Sequence, residues 1–140
     1  MNEIAAVFVL RADGAALLQH RDDKPGLRDA GKWVPPGGHR DNGESIEECA
    51  RRELREETGY NAREIHWLSS FLNGENADQL PYVLTIFWTR HDGVQSVQCL
   101  EGQALQFICR DEAARYGIAS YLVSAWDAAI AALAKQADPR

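Results

Sequence analysis

The sequence predicts an α/β protein, an α/β/α sandwich in which helices hold a mixed β-sheet between them. Three observations carry this. Apolar runs of strand length stand at the start of the chain and recur between residues 65 and 109. Two longer segments, one ending at Gly59 and one near the C-terminus, repeat their apolar residues with a helical period instead. The order strands, helix, strands, helix is that of a sheet held between helices. With 140 residues one core is expected, and the chain reads as a single domain over 1–140.

The first run, 4–10 (IAAVFVL), is apolar without interruption, as in a buried strand. It is too short for a membrane span or for the apolar region of a signal peptide, and Met1-Asn2-Glu3 carries no positive charge. No targeting segment and no membrane partner are expected, and the expected location is cytoplasmic. An Asp13-Gly14 turn joins this run to a second strand, 16–20, as a hairpin. A polar loop, 21–33, carries Arg21, Lys24, Arg28 and Lys32. Pro35-Pro36-Gly37-Gly38 is a rigid dipeptide followed by two residues free to adopt positive φ. Asp41-Asn42-Gly43 then turns the chain into a helix opened by Ser45 or Glu44, with Glu47 and Glu48 in its first turn and Gly59 just past its end. Strands are expected at 65–72, 82–90 and 104–109, and Glu112 reads as a helix start. The closing helix, 119–135, sets Leu122, Trp126, Ile130 and Leu133 at core spacing. No repeat, low-complexity tract or linker interrupts the chain.

The first helix holds the chemistry. At 100° per residue with Ile46 at zero, Ala50 falls at about 40° and Leu54 at about 80°. Glu57 falls at about 20°, Glu53 at about 340° and Glu56 at about 280°, so three carboxylates share the apolar face. Arg51, Arg55 and Glu48 point to water. A surface helix normally keeps its inward face apolar. Acids turned inward beside a Gly-rich loop need a compensating cation, and oxygen-only donors suit Mg²⁺ or Mn²⁺ rather than Zn²⁺. An EF-hand is excluded: with Gly43 as its glycine, Gly38, Arg40 and Cys49 stand where carboxylates or their equivalents belong. Crowding should also raise the pKa of at least one carboxylate. The residues point to a hard-cation site with room for phosphate oxygens, in a Mg²⁺-dependent enzyme.

Gly38, Glu44 and the run Arg52-Glu53-Leu54-x-Glu56-Glu57-x-Gly59-Tyr60 stand in the spacing of the Nudix box. On these residues the chain resembles the Nudix hydrolase family, of the MutT-like kind. Tyr60 departs from the usual aliphatic residue, at a packing position. Lys32-Trp33-Val34-Pro35-Pro36-Gly37-Gly38 before the box, and Glu101-Gly102 before a late strand, resemble the family more loosely. The resemblance implies the same sandwich fold. It also implies metal-dependent hydrolysis of a pyrophosphate bond in a nucleoside diphosphate linked to another moiety. By position it implies Glu53, Glu56 and Glu57 as metal ligands, the Gly38 carbonyl as a further ligand, and Arg52 orienting the glutamates through Glu44 or Glu56. Glu57, near the middle of the inward face, is the first choice of general base. Glu101, in the turn leading to 104–109, is the second.

For the substrate, Trp33 is the favoured wall against a base, ahead of Phe87 and Trp88, which alternate on one strand so that only one can face a cleft; core packing is the default role for all three. Arg21, Lys24 and Arg28 are the candidates for the distal group. By resemblance, Glu75 stands where ADP-ribose pyrophosphatases tend to carry Pro, and Asn76, Ala77 and Asp78 where diadenosine polyphosphate hydrolases tend to carry Tyr. The lean is toward a small nucleoside triphosphate pyrophosphatase. A net charge of −6 argues against nucleic acid as a partner and leaves a small nucleotide. A homodimer is the commonest arrangement for such an enzyme. The three cysteines and four histidines lack metal-ligand spacing; the cysteines read as reduced thiols. The alternative is a non-catalytic Nudix-like module that senses a nucleotide or sugar nucleotide. Such relatives usually lose box glutamates, and this chain keeps them.

Overall fold

The computed structural model describes residues 2–27, 29–73 and 80–137. Arg28, and Glu75 to Asp78 on which the substrate lean partly turned, lie outside the described residues. The strand β1 (Asn2–Leu10) is the spine of the sheet. Ala5, Val7 and Val9 on one face, and Ala6, Phe8 and Leu10 on the other, are all buried. A strand covered on both faces has no polar side to show, which is why 4–10 is an unbroken apolar run. β1 pairs antiparallel with β2 (Ala16–His20) at its C-terminal end. The hairpin closes over a Gly14 at φ 89°. A very short β3 (Trp33–Val34) extends β2, and β4 (Gly37–His39) pairs antiparallel with the N-terminal half of β1.

After the first helix come β5 (His66–Asn73), β6 (Tyr82–Arg90) and β7 (Ala104–Ile108). β6 runs parallel to β1 along its whole length, from Asn2↔Tyr82 to Leu10↔Arg90. The order is β3-β2-β1-β6-β5, with β4 on β1 and β7 on β2, a mixed sheet as expected. The strands β3 and β4 were not anticipated. They are two and three residues long, and the run Pro35 to Gly38 reads as loop. Neither Gly37 nor Gly38 takes a positive φ. Gly37 is required for space: a Cβ there would overlap the Ala5 carbonyl oxygen across the β1–β4 ladder.

Helix α1 (Ile46–Thr58) lies on β1 and β4. Ser45 is its N-cap, Ser45 and Glu48 form a reciprocal capping box, and Gly59 ends it at φ 75° with its N–H on the Arg55 carbonyl. Its Cys49, Ala50 and Leu54 pack with Ala5, Val7, Val9, Leu17 and Phe87. Helix α2 (Ser120–Ala137) covers the opposite face, where Leu122, Trp126, Ala129 and Leu133 meet Phe8, Leu18, Ile86 and Trp88. Ile130 is only partly buried, because the buried stripe passes through Ala129 instead. Trp126 ties α2 to the hairpin by donating from Nε1 to the Gly14 carbonyl at 2.9 Å. A 3-10 segment, Arg110–Tyr116, precedes α2 and contains Glu112. Phe87 and Trp88 are 4% and 5% exposed, one in each apolar layer, so both belong to the core and neither offers a face to a base. Among the described residues no helix is long and apolar enough to cross a membrane.

Leu54 is fully buried at the seam between α1 and β1. Its truncation, Leu54→Ala, should cost about 2–5 kcal/mol in urea unfolding. A loss below about 1 kcal/mol would mean that α1 is not held by this face.

Candidate active site

The N-terminal half of β1 is where the two layers open on a common cleft of about 310 Å³. Its acidic lining includes Glu53 and Glu57 from α1 and Glu101 from the turn before β7. Its apolar lining, Ile4, Tyr82, Leu84 and Leu122, belongs to the layer under α2. Arg21, at the end of β2, also lines it.

Glu57 is 2% exposed. Its Oε2 accepts the Gly37 N–H at 2.9 Å, and its Oε1 accepts from Gln19 Nε2 at 3.2 Å. Burial nevertheless dominates and pushes its pKa up to about 8, with Glu101 and Glu53 adding like charge against the opposing hydrogen bonds. Glu53 is also raised, first by burial, against the lowering effect of Arg52. Gly38 lies against it so closely that a Cβ would overlap the Glu53 carboxylate.

Arg52 is the hub. Its Nε and Nη2 hold both oxygens of Glu44 at 2.7 and 3.0 Å, and Nη1 reaches Glu53 at 2.9 Å and Glu56 at 3.1 Å. Nη2 also donates to the His39 carbonyl. This pairing lowers the Glu44 pKa to about 2 and raises that of Arg52. Below the loop, the Cys49 thiol donates to the Gly38 carbonyl at 3.5 Å, and burial pushes that thiol up to about 12.

The candidate residues do not all converge. Glu53, Glu57, Glu101, Gly38 and Arg21 line the cleft, and Arg52 stands behind it. Glu56 does not: its side chain is 55% exposed beside Arg52. At about 80° from Ile46 on the far side of the helix face, it lies at the edge of the inward stripe and turns to water. Trp33 is not a wall of the cleft. Its ring stacks on His20 at 4.7 Å and meets Tyr116 edge-on, because β3 pairs with β2 there. Lys24 points to solvent beside Asp22. Two residues were missed. Gln19 shows a signal in retrospect, as a lone amide in an apolar strand. Tyr82, at the start of β6, shows none beyond its aromaticity.

The donor set fits a hard divalent cation. A buried carboxylate with two like neighbours is short of positive charge, and the available donors are carboxylate and carbonyl oxygens. The ligand atoms of Glu53, Glu56 and Glu57 are not within 4.8 Å of one another as a group. Among the described residues the one such trio is Cys109, Asp111 and Glu112, elsewhere in the fold.

Glu57 faces Gln19, the Gly37 N–H, Glu53 and Glu101, and its retained proton links stability to pH. Below the ordinary carboxyl value of 4.5, folded and unfolded states both carry the proton, and its contribution is fully present. Between there and about 8 only the folded state keeps it, so stability is lost as pH rises through that window. The carboxyls lowered to about 2, Asp13, Glu44 and Asp92, act only on the acid side of it. The melting temperature in EDTA should therefore fall between about pH 5 and about pH 8, and Glu57→Gln should flatten that slope. A variant as steep as the parent would contradict the assignment.

A family model described as NUDIX domain matches residues 2–126. A Caenorhabditis elegans protein named as a nudix hydrolase is 38% identical over 76 residues, which are 53% of this chain and 20% of that protein. A Bacillus subtilis protein named as an 8-oxo-dGTP diphosphatase is 50% identical over 58 residues, 41% of this chain and 35% of that protein. The matched region is thus about a third or less of each of these relatives. A crystal structure of a C. elegans Ap4A hydrolase binary complex shares the fold, with a TM-score of 0.78 at 20% identity, covering 96% of this chain and 99% of that one.

Proposed function

This chain belongs to the NUDIX domain family, and we propose that it is a pyrophosphohydrolase that cleaves a nucleoside diphosphate derivative, a nucleoside triphosphate first, with Mg²⁺ as cation and Mn²⁺ able to replace it. The observation that carries this reading is one cleft shared by carboxylates from the α1 side, apolar residues of the layer under α2, and Arg21. A base with its phosphates asks for both kinds of lining. The likeness to a protein named as an 8-oxo-dGTP diphosphatase supports a nucleoside triphosphate, oxidised ones included.

In this reading Glu53, Glu57 and the Gly38 carbonyl hold the cation, and Glu56 serves from the rim. A bound divalent cation neutralises phosphate oxygens and acidifies coordinated water. Arg52 favours the charged form of Glu53, against the burial that raises its pKa, and anchors the loop through Glu44 and the His39 carbonyl. Both Glu57 oxygens are engaged by N–H donors, which favours a holding role for it. Glu101 is exposed at the cleft, and that supports it as the base that takes the proton from the attacking water. The Arg21 Nε is buried with no partner among the described residues, an unspent donor suited to a substrate phosphate oxygen. Tyr82, Leu84 and Leu122 then take the base.

The test is a panel of ordinary and oxidised nucleoside triphosphates, ADP-ribose, NADH, dinucleoside polyphosphates and sugar nucleotides, with Mg²⁺ and with EDTA, products resolved by chromatography. Metal-dependent release of pyrophosphate or phosphate from a nucleoside triphosphate is expected. Glu57→Gln should lower turnover by at least about 100-fold with the fold retained. Binding of nucleotide and Mg²⁺ without turnover of any panel member would replace the enzyme by a sensor module.

A further inference from the structure

The geometry points to Gln19 as a positioning residue for two carboxylates at once, and we propose that its side-chain amide sets both Glu57 and Glu101 for the reaction. This inference rests on the hydrolytic reading above. Gln19 lies on β2, on the same face as Leu17, and is 2% exposed. Burying a primary amide costs free energy unless its hydrogens are bonded, so a glutamine at this point of an apolar strand needs partners. It has them on two separate elements: Nε2 lies 3.2 Å from Glu57 Oε1 on α1 and 3.4 Å from the Glu101 carbonyl on the turn before β7.

The turn is built to sit on this residue. Gly102, at φ 81°, has no Cβ, and one placed there would press on the His20 carbonyl and on Gln19 Cγ. Gln103 N–H donates to the same His20 carbonyl at 2.8 Å. The preceding stretch docks on the end of α1 through two backbone bonds, Gln98 N–H to the Thr58 carbonyl and Leu100 N–H to the Glu57 carbonyl, with Val97 packed against the same layer. Those bonds place the turn but leave the Glu57 carboxylate free to rotate. The Gly37 N–H holds one of its oxygens, and Gln19 holds the other.

Two donors fix the plane of a carboxylate, where one leaves it a hinge. Gln19 also favours the charged form of Glu57, because an NH₂ can only donate. The same amide therefore orients the group read as a cation ligand and, through the main chain, the group read as the base. A residue that orients ligands without touching substrate typically alters metal affinity or activity by about 10–100-fold when replaced.

The first experiment is on the unaltered protein: the Gln19 side-chain NH₂ signal in a ¹⁵N-resolved NMR spectrum, assigned by its disappearance in Gln19→Met. With both hydrogens bonded and buried, it should exchange with solvent far more slowly than the exposed glutamine amides. Exchange at their rate overturns the proposal. In Gln19→Met, which keeps the volume and loses the donor, kcat should fall about 10–100-fold with KM nearly unchanged. Mn²⁺ affinity without nucleotide, read by electron paramagnetic resonance, should weaken by a similar factor. A folded Gln19→Met with parental kcat and Mn²⁺ affinity overturns the proposal, and if that variant does not fold, the NH₂ exchange decides. Failure of the hydrolytic reading looks different: the parent protein turns over no substrate, whatever the amide does.

Discussion

A helix can turn acids toward its own protein only if cations or N–H donors meet them, and the structure around α1 is arranged by that requirement. Arg52 meets four carboxylates with one guanidinium, Asp41 at 3.4 Å among them. Its planar fork grips both oxygens of Glu44 while a second edge reaches Glu53 and Glu56. A lysine could neutralise one of these as a point charge, but it could not hold the loop carboxylate and the helix carboxylates in a fixed relation. Arg52 also takes the His39 carbonyl, so the loop 39–44 is pinned to the helix whose carboxylates it faces.

The sheet supplies the rest of the requirement through glycine. Without a Cβ, Gly37 lets β4 close on β1 at Ala5 and directs its N–H at Glu57, and Gly38 lets the chain lie against Glu53. Because β1 is covered on both faces, its N-terminal half borders two layers. The layer under α1 brings the acids, and the layer under α2 brings the apolar lining from Tyr82, Leu84 and Leu122. A cleft with unlike linings is thus a consequence of a central strand that borders two unlike layers.

Most of this was legible where local rules and the fold agree. The limits of α1 follow from Ser45, Glu48 and Gly59, residues whose capping chemistry needs no tertiary context. β2 and β6 fall where the Asp13-Gly14 turn and apolar runs of strand length place them. What misled was context. Glu56 shares the helix face by arithmetic, yet at the edge of a stripe a long side chain can turn outward to Arg52 and water. Gly37 and Gly38 look like residues chosen for φ, and they are chosen for room. Trp33 is held off the cleft by the pairing of β3 with β2, which has no local signature in two residues. Gln19 was passed over because its value lies in partners 38 and 82 residues away.

The contrast with Cys109, Asp111 and Glu112 shows why proximity of acids is not itself a demand for a cation. Those ligand atoms lie closer together than the carboxylates of α1. Asp111 is exposed and Glu112 half-buried, both in the first turn of a 3-10 segment, so neither is shut away from water. Glu57 has the opposite situation, with water excluded, both oxygens already bonded, and two further carboxylates facing it. In the absence of a cation the cheapest remedy is to keep a proton, which is the direction in which its pKa moves. A cation that displaced that proton would meet a carboxylate already oriented by Gly37 and Gln19, so the same burial that penalises the empty site pre-organises the filled one.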